Sequence, residues 1–246
     1  NKNKGVLLTT GTASTGNIIR GNIMYGNTIA IDLGTAGADT NDTDDVDAGN
    51  NNLQNYPVLN SAIIVNTDLA VNFSVDATTG NSTYPLTIDL YKSDGARQGE
   101  VYLGSVTYTS GEAQTTLTKT VTPLVAVNAA DLIVATATDA SGNTSEFAAE
   151  VTAAAQAPFI TTWQTTAASE TITIPTTGSG YNYNVTWEEV GNEGANNGTA
   201  GPFNDGNVPH SFVLPTAGVY RVYIDGSFPR IFFNNAGDRQ KILTIE

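Results

Sequence analysis

Carboxylates crowd one short stretch of this chain. Asp32, Asp39, Asp42, Asp44, Asp45 and Asp47 fall within sixteen residues, and no Lys or Arg occurs between Arg20 and Lys92. Like charges packed this closely repel unless a counter-ion neutralises them. A hard divalent cation does that best, because Ca²⁺ takes six to eight oxygen ligands from carboxylates, amide carbonyls and water. The spacing nominates Asp42, Asp45 and Asp47 as carboxylate ligands. Asp39, Asp44, Asn41 and a carbonyl or side chain near Asn51 are candidates to complete the shell. The segment lacks the twelve-residue loop with a terminal Glu that defines an EF-hand. An acidic, solvated linker is the competing reading. Against it stands the apolar, aromatic run Leu53-Gln54-Asn55-Tyr56-Pro57-Val58-Leu59, which should anchor the acids in a packed loop.

Other chemistry is poorly provided for. His210 is the sole His, Cys is absent and no Gly-x-Ser-x-Gly turn occurs. Nucleophile–base triads and thiolate or imidazole zinc sites are therefore not expected. Glu188 and Glu189 are adjacent on an expected strand, so they point to opposite faces and do not form a glycosidase pair. Tyr181, Tyr183 and Trp187 alternate on one strand face. They form either a sugar-stacking platform or sandwich core, and the spacing favours core, with Trp187 buried beside the two tyrosines. No catalytic residue is assigned.

The whole composition limits partners. Net charge is −14 with a pI near 4.2, which disfavours nucleic acid and anionic membrane surfaces. Without Cys there are no disulfides, so core, size or metal must stabilise the fold. Neither a signal peptide nor a membrane-spanning run is present. The opening Asn-Lys-Asn-Lys-Gly reads as that of a processed chain or a fragment of a longer protein. A length of 246 residues suggests roughly two or three domains.

Abundant Gly, Thr, Asn, Ala and Val favour strands and tight turns. Three blocks follow. Residues 1–59 carry the repeat Gly16-Asn17-Ile18-Ile19, Gly21-Asn22-Ile23-Met24, Gly26-Asn27-Thr28-Ile29, in which each Gly-Asn pair offers a left-handed turn. Such a pattern suits a parallel β-helix. Residues 60–157 show seven short alternating segments, at 61–66, 69–75, 86–91, 101–108, 115–121, 132–138 and 147–152, which read as a β-sandwich. Residues 158–246 add strand candidates at 159–163, 171–174, 181–187, 219–224, 230–233 and 242–245.

The stretch NIIRGNIMYGNTIAIDLG resembles the last rungs of right-handed β-helix surface proteins and polysaccharide lyases, and the acidic ending through Leu53-Gln54-Asn55-Tyr56-Pro57-Val58-Leu59 resembles their exit. The second block is similar to immunoglobulin-like domains of secreted bacterial adhesins. His210-Ser211-Phe212 and Gly218-Val219-Tyr220-Arg221-Val222 resemble the polycystic-kidney-disease (PKD) type of sandwich, although Glu188-Glu189-Val190-Gly191 replaces that family's turn after its Trp. These resemblances imply an all-β chain: terminal coils of a parallel β-helix followed by two Ig-like β-sandwiches. They imply a bacterial secreted or cell-surface protein, stiffened by calcium, with a structural and adhesive role. A glycan or a cell-surface protein would be the partner, with flanking domains on a longer chain. An accessory glycan-binding region of a secreted polysaccharide-degrading enzyme is the alternative.

Overall fold

A computed structural model describes residues 4–9, 11–34, 37–205, 208–235 and 237–246. The chain is all-β, with sixteen strands and two short 3-10 turns among these residues. Its contacts divide it into two compact units, residues 1–155 and 156–246. The first and second blocks of the sequence thus share one unit.

Unit 1 is built on a seven-stranded sheet. In chain order its strands are β3 (Val58–Val65), β4 (Asp68–Ser74), β5 (Leu86–Ser93), β6 (Gly99–Tyr108), β7 (Leu117–Val121), β8 (Leu132–Thr138) and β9 (Val151–Ala155). The spatial order is β6-β5-β8-β9-β3-β4-β7, and the sheet curls into a nearly closed, barrel-like form. Pairing is antiparallel except between β3 and β9. Gly104 lets β6 approach β7: its φ is +136°, and a Cβ there would lie 2.9 Å from Val121 Cγ2. Strict alternation on β4 sends Leu69, Val71 and Phe73 into the barrel interior beside Leu86, Ile88, Leu90 and Ile133.

Strands β5 and β8 differ, being buried on both faces over most of their length. The N-terminal segment explains this. It contributes β1 (Lys4–Leu7) and β2 (Ile29–Asp32), which pair in parallel. Ile19, Ala30, Ile31 and Leu33 form a second core with Tyr91, Val134 and Phe147. Residues 11–28 form no ladder strand; they run as an extended strap. Its Gly-Asn turns at Gly16, Gly21 and Gly26 have φ of +75°, +65° and +66°, as the repeat predicts. The strap's N–H groups are received by distant partners: Gly16 by Asn143 Oδ1 at 2.8 Å, Asn17 by Asn51 Oδ1 at 2.9 Å, Ile19 by Thr144 Oγ1 at 2.9 Å, and Met24 by the Gly99 carbonyl at 2.7 Å. Arg20 grips the fully buried Asp89 with two bonds, of 2.7 and 3.0 Å.

Unit 2 contains β10 (Phe159–Thr165), β11 (Glu170–Ile174), β12 (Asn182–Glu189), β13 (Gly198–Phe203), β14 (His210–Leu214), β15 (Gly218–Ser227) and β16 (Ile242–Ile245). A five-stranded sheet of order β13-β12-β15-β10-β16 accompanies the pair β11-β14. Both contribute to one core, in which Ile172, Ile174, Phe212 and Leu214 meet Trp163, Tyr183, Val185, Tyr220 and Val222. Two strands, β13 and β14, were not expected from the sequence, and 230–233 forms none. The buried tryptophan is Trp163, at 0% exposure. Trp187, expected in the core, is only partly buried and stacks on Phe212 at 5.1 Å. Tyr181 and Tyr183 are buried as expected.

A candidate metal centre in the acidic loop

The acidic loop leaves β2 at Asp32 and reaches β3 at Val58. Its turn passes through Asp44 and Asp45, both left-handed at φ +65° and +62°. Asp is among the residues that tolerate this conformation. Asp42 closes the turn: its Oδ2 accepts the Val46 and Asp47 N–H groups, each at 3.1 Å. Asn55 staples the turn to the chain just beyond β4. Its Oδ1 accepts the Asp42 N–H at 3.1 Å, and its Nδ2 donates to the Asp42 and Asp76 carbonyls.

This geometry brings Asp42, Asp45 and Asp47 together, one carboxylate oxygen from each lying within 4.8 Å of the others. Two like charges at that distance repel by about 3 kcal/mol at an effective dielectric near 20. Among the described residues, no Lys or Arg forms an ion pair with Asp39, Asp42, Asp45 or Asp47. Burial pushes the Asp47 carboxyl up to about 6, helped by the charges of Asp42, Asp45 and Asp39. Burial raises Asp45 and Asp39 too.

Three carboxylate oxygens in this loop are buried without a hydrogen-bond partner: Asp39 Oδ2, Asp42 Oδ1 and Asp47 Oδ1. Buried acceptors ordinarily find donors. An all-oxygen, anionic donor set of this kind fits a hard cation such as Ca²⁺ and suits zinc poorly. Asp45 is already bonded. Its Oδ1 accepts the Asn55 N–H at 2.8 Å, and its Oδ2 accepts Gln54 Nε2 at 2.8 Å and the Ser82 hydroxyl.

The remaining candidates have other partners. Asp44 lies outside the cluster; Gln114 Nε2 donates to its Oδ1, and its carbonyl accepts Asn81 Nδ2 at 2.8 Å. Asn41 pairs reciprocally with the Tyr56 backbone at 2.8 and 3.0 Å. Asn51 acts as a surrogate strand, accepting the Asn17 N–H and donating to the Asn17 and Thr144 carbonyls. Sequence reasoning missed Glu146. Its carboxylate accepts the Leu33 N–H at 3.0 Å and the Asp39 N–H at 2.8 Å, anchoring the start of the loop. Burial pushes it up to about 7. Nothing local in the sequence marks it, since its partners lie 113 and 107 residues away.

Elsewhere, His210 Nδ1 meets the Tyr183 hydroxyl at 2.8 Å, and its ring stacks on Phe203 at 4.5 Å. Glu188 is bonded by the Tyr223 hydroxyl, while Glu189 accepts from Asn192 and Asn196. No helix among the described residues is long and apolar enough to cross a membrane. No protein-family model matches the chain, and no curated protein matches it significantly.

Proposed function

We propose that this chain is a non-catalytic, calcium-stabilised structural and adhesive region of a bacterial secreted or cell-surface protein, in which the end of a β-helix joins Ig-like and PKD-like sandwiches. The observation that carries the calcium reading is the pair of buried, unpartnered oxygens on Asp42 and Asp47, within a cluster of three carboxylates that no cationic side chain neutralises, with a further unpartnered oxygen on Asp39 of the same loop. Asp42 and Asp47 would hold the ion directly, Asp39 would close one side, and Asp45 would share an oxygen while keeping its bonds to Asn55 and Gln54. Calcium there would lock the loop that ties β2 to β3. Exposed apolar side chains along the strap, Ile18, Ile23 and Tyr25, supply surface for adhesive contact.

The test is calcium titration of the full chain followed by thermal melting. At 100 times the dissociation constant, calcium should add about 3 kcal/mol of stability. Magnesium, which demands a tighter octahedral shell, should add less. Identical melting in calcium and in chelator would overturn the reading.

A second reading, the accessory glycan-binding region, draws on unit 2. There an open cleft is lined by Trp187, Glu188, Asn197 and Tyr223, and Trp187 Nε1 is buried without a partner. Loss of sugar binding in a folded Trp187→Ala variant would support it; equal binding, or none in the parent chain, would remove it.

A further inference from the structure

Strand β16 ends the five-stranded sheet on one side and pairs only with β10. Along a strand, the backbone N–H and C=O of successive residues point to alternate sides. The Glu246 N–H donates to the Ile160 carbonyl at 2.9 Å, and Thr244 lies opposite Thr162, the two hydroxyls 2.6 Å apart. The backbone groups of Thr244 and Glu246 therefore turn toward β10, and those of Leu243 and Ile245 toward the other edge. Among the described residues, no strand pairs with that edge. It is open to solvent: Leu243 is 49% exposed and Ile245 is 55% exposed.

Edge strands ordinarily carry devices that stop another strand from adding to them. The opposite edge of this sheet has them. Strand β13 contains Pro202, which lacks an N–H, and glycines at 198 and 201. Strand β16 has no Pro, no Gly and no charge from Ile242 to Ile245. Its register with β10 shifts between Thr162 and Trp163, which leaves the residues from Thr244 onward in regular pairing.

The strand is also complementary to itself. Residues directly opposite in an antiparallel pair share a face, so a strand that meets its own copy must be centred on a single residue. Centred on Thr244, the pairing sets Leu243 of each copy against Ile245 of the other. These are the residues whose backbone groups face the free edge, so each such pair exchanges reciprocal hydrogen bonds. The same register brings Glu246 of one copy beside Lys241 and the exposed Arg239 of the other. Centred on Leu243 instead, the pairing would set Ile245 against Lys241. Only the first register joins exposed aliphatic side chains and brings opposite charges together.

We propose that a second copy of this chain pairs with β16, antiparallel and centred on Thr244, so that the two five-stranded sheets become one sheet across a two-fold axis.

The test uses the full chain in sedimentation equilibrium, together with single cysteines placed in a sequence that has none. The parent chain should show a reversible monomer–dimer equilibrium. Ile245→Pro removes an N–H that faces the free edge and no bond to β10, so it should leave a monomer. Unchanged emission from the buried Trp163 confirms that this variant folds. Two Thr244 residues facing each other would have Cα atoms about 4.5 Å apart, within the reach of a disulfide. Thr244→Cys should therefore give a covalent dimer under mild oxidation, and Leu243→Cys, which faces Ile245, should give far less. Three results would each overturn the proposal. One is a parent chain that stays monomeric at millimolar concentration. The second is a folded Ile245→Pro variant that dimerises as the parent does. The third is cross-linking of Leu243→Cys equal to that of Thr244→Cys.

Discussion

At the scale of single residues, the acidic loop separates two jobs that carboxylates do. Asp45 is 5% exposed and accepts from Asn55, Gln54 and Ser82. Replacing it with Ala strands those donors, so Asp45→Ala should cost about 3 kcal/mol in chelator, and more in calcium, where a shared ligand is lost as well. Asp47 is different, because its Oδ1 has no donor and its neighbours repel it. Asp47→Asn should therefore raise the melting temperature in chelator and abolish the gain from calcium. Denaturation of both variants in both conditions checks the pair; equal loss in chelator would show that Asp47 is bonded like Asp45. The same groups set a pH dependence. A carboxyl with a raised folded-state pKa contributes stability when protonated, and that contribution is lost as pH climbs from its unfolded to its folded value. For Asp47 that range runs from 3.8 to about 6, and for Glu146 from 4.5 to about 7. The metal-free protein should lose this stabilisation between pH about 4 and 7, while the calcium increment grows over the same range as ionised ligands become available. Melting at about pH 4.5 and pH 7.5, with and without calcium, tests the sign.

Structural elements show what holds the N-terminal strap. Its repeat encodes the turns, but its anchors lie elsewhere in the chain. Arg20 binds Asp89 through a two-pronged contact at the centre of β5, and Tyr102 also donates to that carboxylate at 3.1 Å. Arg20→Ala leaves a buried charge and should cost about 3 kcal/mol, at the low end for broken buried pairs because the Arg side chain is 36% exposed. Lys cannot reproduce the paired geometry, so Arg20→Lys should recover only part. Chemical denaturation measures both; no loss in the Ala variant would show that the strap is held without this pair. In unit 2, Trp163→Ala should cost about 3–5 kcal/mol and Trp187→Ala less than half of that. The seven strands of the first sheet were largely legible, because apolar alternation and Asn, Gly and Asp turns bound them. Strands β13 and β14 were not. Gly198-Thr199-Ala200-Gly201-Pro202-Phe203 has too few large apolar residues to show a period, and Trp187 packs over Gly198 in their place. The three clustered Asp were legible from their spacing. Ser82, Gln114 and Glu146, which shape the loop around them, were not, because only tertiary folding brings them near.

For the molecule as a whole, the two units divide the reporters from the metal candidates. Trp163 and Trp187 both lie in unit 2, whereas Asp39, Asp42, Asp45 and Asp47 lie in unit 1. Tryptophan fluorescence should therefore report a thermal transition that chelator leaves in place, while circular dichroism shows a second transition that chelator lowers. A tryptophan transition that moves with calcium would show that the units melt as one. The distances in sequence spanned by the strap's bonds bear also on time. Gly16 and Ile19 rest on Asn143 and Thr144, 127 and 125 residues away, and Arg20 on Asp89, 69 away. Contacts of such separation form late and slow folding. A chain made or exported amino end first must carry Ile18, Ile23 and Tyr25 past the assembling barrel with nothing to bond the strap. The strap would then settle only after the strands it rests on, although it precedes them in the chain, which makes the finished barrel the template on which the strap folds.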